Sequence, residues 1–218
     1  ILSSLDIEAL HRELISLLEQ SKGDRLQQKV KDSLKEYYYA ELGNQLTNSK
    51  WEEADSLTSR LMLYLANRQK EGYYDNMNIN SFSCPDLKRI DQLWVSNSEK
   101  RFGFSVQKEI WINTGNRLGI KLEQWNDKDQ ENSKKFSRAV GWLDDKGIGN
   151  KTGSSGGYVS YNEIFKRINL YPQLRGSLPS IIRHVHVTET RIKERMYIVD
   201  EFLGTSPEIF SRVASCKL

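Results

Sequence analysis

Histidines, cysteines and one dense run of aromatics are the residues of this 218-residue chain that could carry chemistry. His184 and His186 alternate, so on an extended segment they share one face, and Glu189 could add a third metal ligand. Two surface histidines have the same spacing, and that reading is preferred. Cys84 and Cys216 have no CxxC partner, which argues against a metal cluster. Their wide separation gives little support to a disulfide scaffold, so thiols in a reducing compartment are the simpler expectation. Five glycines lie between Lys146 and Gly157, without the lysine spacing of a phosphate loop. No dinucleotide glycine motif, nucleophile–base pair or paired-carboxylate site is recognisable, so an enzyme is not the expectation.

What remains is the stretch from Phe82 to Trp111, where aromatics, a charged turn and two helix starts are concentrated. Ser83 can cap a helix whose first turn holds Pro85 and Asp86: proline gives up an N–H that would be unpaired there, and the carboxylate faces the positive helix end. The helix is predicted to reach about Val95, with Leu87, Ile90, Leu93 and Trp94 on one apolar face. The turn SNSEK then leads into Arg101-Phe102-Gly103-Phe104-Ser105, where Ser105 is expected to cap a second helix through Thr114, closed by Gly115. Phe102 and Phe104 read first as core anchors.

The surrounding chain supplies the frame. Two helical patterns over residues 3–22 and 26–38, broken at Gly23-Asp24, predict an N-terminal hairpin. Tyr37, Tyr38 and Tyr39 point about 100° apart on a helix, so at most two can share the core. Ser49 and Glu52 read as a capping box for a helix reaching about Asn67. The polar segment 69–81 carries Tyr73, Tyr74, Met77 and Ile79, as packing residues or the rim of a ligand site. Residues 116–135 read as a charged insertion with few order signals, and 146–157 as a mobile loop. Ser160 with Glu163 predicts another capped helix, ending before Pro172. Beyond Pro179 an extended stretch, a helix over 188–203 and a last helix from Ser206-Pro207-Glu208 are expected. Thr205 and Ser206 are candidate phosphorylation sites, although Ser206 as an N-cap is the preferred reading.

Composition narrows the partners. A net charge of +3 from 32 basic and 29 acidic residues gives little long-range attraction to a polyanion, so nucleic acid is not the expected partner. No apolar run approaches the roughly 20 residues that span a bilayer. A first residue other than methionine reads as a mature or trimmed form.

The wording of the aromatic stretch resembles the signature of the genomes uncoupled four family, tetrapyrrole-binding regulators of magnesium chelatase. The residues that carry it are Phe82, Cys84, Asp86-Leu87, Ile90 to Val95 and Arg101 to Lys108. Upstream, Lys50 to Asp55, Arg60 to Leu63 and Glu71-Gly72-Tyr73 continue it. Downstream, Val140-Gly141-Trp142, Gly156-Gly157-Tyr158, Ser160-Tyr161 and Gly176 to Pro179 follow in order. The resemblance implies an all-α fold: a cupped-hand tetrapyrrole-binding domain over 37–180, N-terminal accessory helices over 1–36 and a C-terminal extension over 181–218. It implies protoporphyrin IX or magnesium protoporphyrin IX as bound ligand, no catalytic cofactor, and the large porphyrin-binding subunit of magnesium chelatase as partner. The implied setting is a plastid, in stroma or at a membrane surface with peripheral association, or a cyanobacterial cytoplasm.

By position, the resemblance assigns Ile79, Phe82 and Tyr161 to an apolar palm, with Tyr73 and Tyr158 where tryptophan is common. Leu178 and Pro179 match the strip that ends the domain, Arg183 is the candidate propionate partner, and Trp94, Phe104 and Gln107 match as contact or scaffold. Ser177 stands where histidine is usual. These departures keep open a helical protein-interaction or sensor module of the same fold that has lost porphyrin binding.

Overall fold

The computed structural model describes residues 24–73, 76–120, 124–144, 157–180 and 207–218, with Ala9, Leu10, residues 12–14 and residue 16. In order, the helices are α1 (Asp24–Thr47), α2 (Trp51–Leu65), α3 (Asn76–Ser81), α4 (Cys84–Asn97), α5 (Phe104–Asn113), α6 (Asp127–Ala139), α7 (Tyr161–Leu170) and α8 (Pro207–Ser215). The fold is all-α, as expected, with an isolated antiparallel bridge between Leu143 and Tyr158. The rest of the N-terminal pattern of 3–22, the loop 146–156, the histidines and the segment 181–206 lie outside the described residues.

Helix α1 runs unbroken through residues 36 and 37 and packs on α2 and α4. Leu34, Tyr38, Tyr39, Leu42 and Leu46 are buried on this side, and Tyr37 is half-buried, so two of the three consecutive rings share the core. Tyr39 donates to Asp86 at 2.8 Å, Lys35 pairs with the same carboxylate at 2.6 Å, and Arg89 lies over the Tyr39 ring while bonding Glu36. This fastens α1 to the first turns of α4.

Helix α2 starts without the expected capping box. Ser49 has φ 55 and its N–H bonds the Leu46 carbonyl, so it terminates α1 in a left-handed turn, and Lys50 is the N-cap with no side-chain bond. Helix α4 starts as predicted, with the Ser83 hydroxyl accepting from the Asp86 N–H and Pro85 in the first turn. Trp94 from α4 stacks near Trp51 of α2 (6.4 Å), and both meet Phe102 edge-on at 6.2 and 5.2 Å. The Trp94 indole Nε1 donates to Thr58 Oγ1 at 3.0 Å, so its polar atom is satisfied inside the core.

Helix α5 is capped from a distance. Gly103, at φ 131, is the N-cap and has no side chain to offer; the Asp91 carboxylate of α4 accepts from the Ser105 N–H at 2.8 Å. Ser105 is therefore the capped residue and not the cap. A Cβ at Gly103 would lie 2.9 Å from Asp91 Oδ1 and 2.7 Å from Val95 Cγ2, so only glycine permits this approach. Burial raises the Asp91 carboxyl above its ordinary range, against the lowering effect of the bonds from Ser105 and Phe104.

The described residues of the charged segment 116–135 are more ordered than its composition suggests. Asn126 and Asp129 form a reciprocal capping box for α6, and Arg117 pairs with Asp129 at 2.7 Å. The Trp111 ring of α5 packs on Phe136 of α6 (5.3 Å), and Phe136 on Trp142 (5.7 Å), building a second aromatic cluster. Helix α8 completes it: Phe210 stacks on Trp111 at 4.7 Å and meets Phe136 at 5.2 Å.

Cys84 and Cys216 are joined in a disulfide, which corrects the expectation of free thiols. Their separation of 132 residues in sequence gave no sign of it; docking of α8 against α3 and α5 places Cys216 beside the first residue of α4.

Candidate functional site

The sequence-assigned ligand residues fall into an enclosed group and a marginal group. Trp94, Phe104, Gln107 and Leu178 are enclosed. Gln107 Nε2 donates to the carbonyls of Gly176 (3.0 Å) and Pro179 (2.9 Å), and the Leu178 carbonyl accepts from the Gly103 N–H. These bonds of Gln107 and Leu178 tie the strip 176–180 to the start of α5. Pro179 is buried with them, and the Leu178–Pro179 peptide bond is cis. Ser177, in the position where histidine is usual, is also buried; its hydroxyl donates to the Val140 carbonyl at 2.8 Å, and its own carbonyl accepts from Trp142 Nε1.

Tyr73, Ile79, Tyr158 and Tyr161 are half-buried at the margin of the core. Tyr73 follows α2, with the Arg68 guanidinium 5.2 Å from its ring centre. Ile79 projects from the short α3 and packs on the core edge, while Phe82, three residues on, is 4% exposed. The Phe82 carbonyl is held by the Arg212 guanidinium of α8, with Nε at 2.9 Å. Tyr158 lies at the Leu143 bridge with its hydroxyl 3.4 Å from Ser137. Arg183 lies outside the described residues.

Tyr161 begins α7, where Ser160 accepts from the Glu163 N–H as its spacing predicted. Its ring meets Phe165 edge-on at 4.9 Å, and its hydroxyl donates to Asp55 Oδ2 at 2.9 Å. Asp55, fully buried on α2, also accepts from the Ser180 N–H and hydroxyl, each at 2.6 Å. This carboxylate pins both the aromatic at the head of α7 and the strip that follows it. The sequence reading missed Asp55, although one signal was present: it falls four residues after Trp51 and three before Thr58, on the buried face of a helix where a carboxylate must find donors.

Each residue of the marginal group packs against the edge of the core or beside a charged side chain. Three phenol rings and one aliphatic side chain retain partly exposed surface, and the Arg68 guanidinium beside Tyr73 is engaged by Glu71 at 3.6 Å and by the Tyr73 carbonyl at 3.5 Å. Among the described residues no group of three or more His, Cys, Asp or Glu side chains is placed to hold a metal ion.

The family model described as GUN4-like matches residues 32–192. The chain belongs to the GUN4-like family. Among curated relatives of this GUN4-like chain, a chloroplastic tetrapyrrole-binding protein of Arabidopsis thaliana is 38% identical over 73 residues, 33% of this chain and 28% of that protein. An uncharacterized protein ycf53 of Pyropia yezoensis is 29% identical over 116 residues, 52% of this chain and 43% of that protein. The chain thus spans less than half the length of these relatives. Among solved structures, the ligand-free structure of Arabidopsis thaliana GUN4 gives a TM-score of 0.49 at 21% identity, over 81% of this chain and 96% of that one.

Proposed function

We propose that this GUN4-like chain binds a tetrapyrrole, protoporphyrin IX or its magnesium complex, and presents it to the large porphyrin-binding subunit of magnesium chelatase, stimulating magnesium insertion in chlorophyll synthesis. It performs no bond chemistry of its own. The setting is a plastid or a cyanobacterium, with peripheral membrane association. Residues 37–180 form the binding unit, flanked by the accessory segment 1–36 and the extension 181–218. The observation that carries the reading is the family match over 32–192, which includes every proposed contact.

Tyr73, Ile79, Tyr158 and Tyr161 form the walls for the macrocycle, and Phe82, Trp94, Phe104, Gln107, Leu178 and Pro179 hold those walls in place. Arg183 pairs with the propionates. Burial of roughly 300 Å² of apolar surface contributes about 7 kcal/mol before the costs of association. Asp55 keeps the Tyr161 hydroxyl engaged, so the ring is presented in one orientation.

Titration with protoporphyrin IX and magnesium protoporphyrin IX, followed by the Soret band and tryptophan quenching, tests the proposal. A saturable shift is expected, with Tyr73→Ala and Ile79→Ala each weakening binding by about 1–2 kcal/mol at unchanged helical signal. Phe82→Ala is a poorer probe because the ring is a core residue, and its loss costs stability as well. A well-folded protein without a Soret shift would overturn the proposal.

A further inference from the structure

We infer that the Cys84–Cys216 bond is a dithiol-reducible clasp that switches α8 between a docked and a released state. The inference stands independently of tetrapyrrole binding. Cys84 lies within the family-matched segment, whereas Cys216 lies beyond its end at residue 192, so the cross-link adds to the family pattern an element from outside it.

Helix α8 is nine residues long, too short to persist alone in water. Its order comes from docking: Ile209, Phe210 and Val213 are buried, Arg212 holds the Phe82 carbonyl, and the Gly119 N–H donates to Ser211 Oγ at 2.8 Å. The Lys108 ammonium donates to the Leu218 carbonyl. Most of these contacts are to α3, α5 and the turn after α5, so one small helix covers the second aromatic cluster and the Ile79–Phe82 strip together. With the disulfide closed, undocking α8 cannot carry it away. With the disulfide open, undocking and helix melting become one local unfolding step.

The two cysteines differ in burial. Cys216 is 3% exposed, but Cys84 is half-buried and is the first residue of α4, where the helix N-terminus stabilises a thiolate. A dithiol donor attacks through its thiolate at the sulfur of Cys84, the less buried of the two cysteines. The Sγ–Sγ bond breaks, Cys216 leaves with the electron pair and takes a proton, and a mixed disulfide with Cys84 remains. The donor's second thiol then displaces Cys84, so two electrons and two protons reach this chain while the donor becomes a disulfide.

The test is hydrogen exchange by mass spectrometry on the full chain, after equilibration with oxidised glutathione or with reduced dithiothreitol. The oxidised sample should contain a peptide cross-linked through Cys84 and Cys216. On reduction, exchange in 207–218 should rise by about tenfold or more, with smaller rises in 76–84 and 104–113 and no change in 24–47. Cys216→Ser should exchange like the reduced protein and ignore dithiothreitol; Cys84→Ser should do the same, which guards against one variant failing to fold. Absence of the cross-link, equal exchange in both states, or an equal rise across all peptides would each overturn the switch.

Discussion

Trp51, Trp94 and Phe102 form one aromatic cluster, and Trp111, Phe136, Trp142 and Phe210 another; they differ in how far the chain must travel to build them. The first joins α2, α4 and the turn that follows α4, and the Trp94 Nε1 within it is satisfied by Thr58 of α2. The second requires α8, which returns after residues 181–206 and is fixed by a covalent bond to the head of α4. Comparable ring packing therefore serves as a permanent core on one side and as a fastened cover on the other.

The strongest way to break this comparison is Trp94→Ala. It should cost about 3–5 kcal/mol and shift the denaturant midpoint equally by fluorescence and circular dichroism, because the whole domain depends on that ring. Reduction of the disulfide should cost about 2–4 kcal/mol, given the long loop it closes. Its effect should appear first in α8, so the two probes should separate where Trp94→Ala keeps them together. Thr58→Val sharpens the contrast on a smaller scale. It leaves Trp94 Nε1 buried without its acceptor, and a loss of about 1–3 kcal/mol is expected in thermal or denaturant melts.

Acid should give the smallest difference and one opposite in sign between groups. Burial opposes ionisation of Asp86, but bonds from Lys35, Ser83 and Tyr39 outweigh it and hold its carboxyl below the ordinary range. The Arg117 guanidinium does the same for Asp129. Stability from either is present above the unfolded carboxylate pKa, about 4, and is lost as pH falls through the lowered folded value. Asp91, raised chiefly by burial, runs the other way: its contribution is full below the unfolded pKa and is lost as pH rises through the folded one. Asp86 and Asp91 share α4 and partly cancel, whereas Asp129 on α6 has no such counterweight among these three. Protection of 127–139 should therefore fall before that of 84–97 in exchange measured below about pH 4, after correction for intrinsic rates.

The first cluster was the more legible in sequence. Ser83, Pro85 and the apolar spacing from Leu87 to Trp94 identify α4 because their information is local, and Ser160 with Glu163 identifies α7 for the same reason. Local spacing offers the nearby Ser105 as the cap of α5, whereas the acceptor is Asp91, 14 residues earlier and brought in by tertiary packing. The Asn126–Asp129 box was present in the sequence but hidden among charges. The disulfide and the Asp55–Ser180 bonds join residues 132 and 125 apart, where only the assembled fold determines neighbours. For the candidate site, the sequence indicates which residues to consider, while only the structure divides them into enclosed and half-buried side chains.

The disulfide also makes most of this polypeptide a closed covalent ring. A single peptide bond cut between residues 84 and 216 leaves both pieces joined through sulfur. A nick in the glycine-rich stretch would release no fragment until the bond is reduced, and the same molecule would migrate as one species or two according to its thiol state.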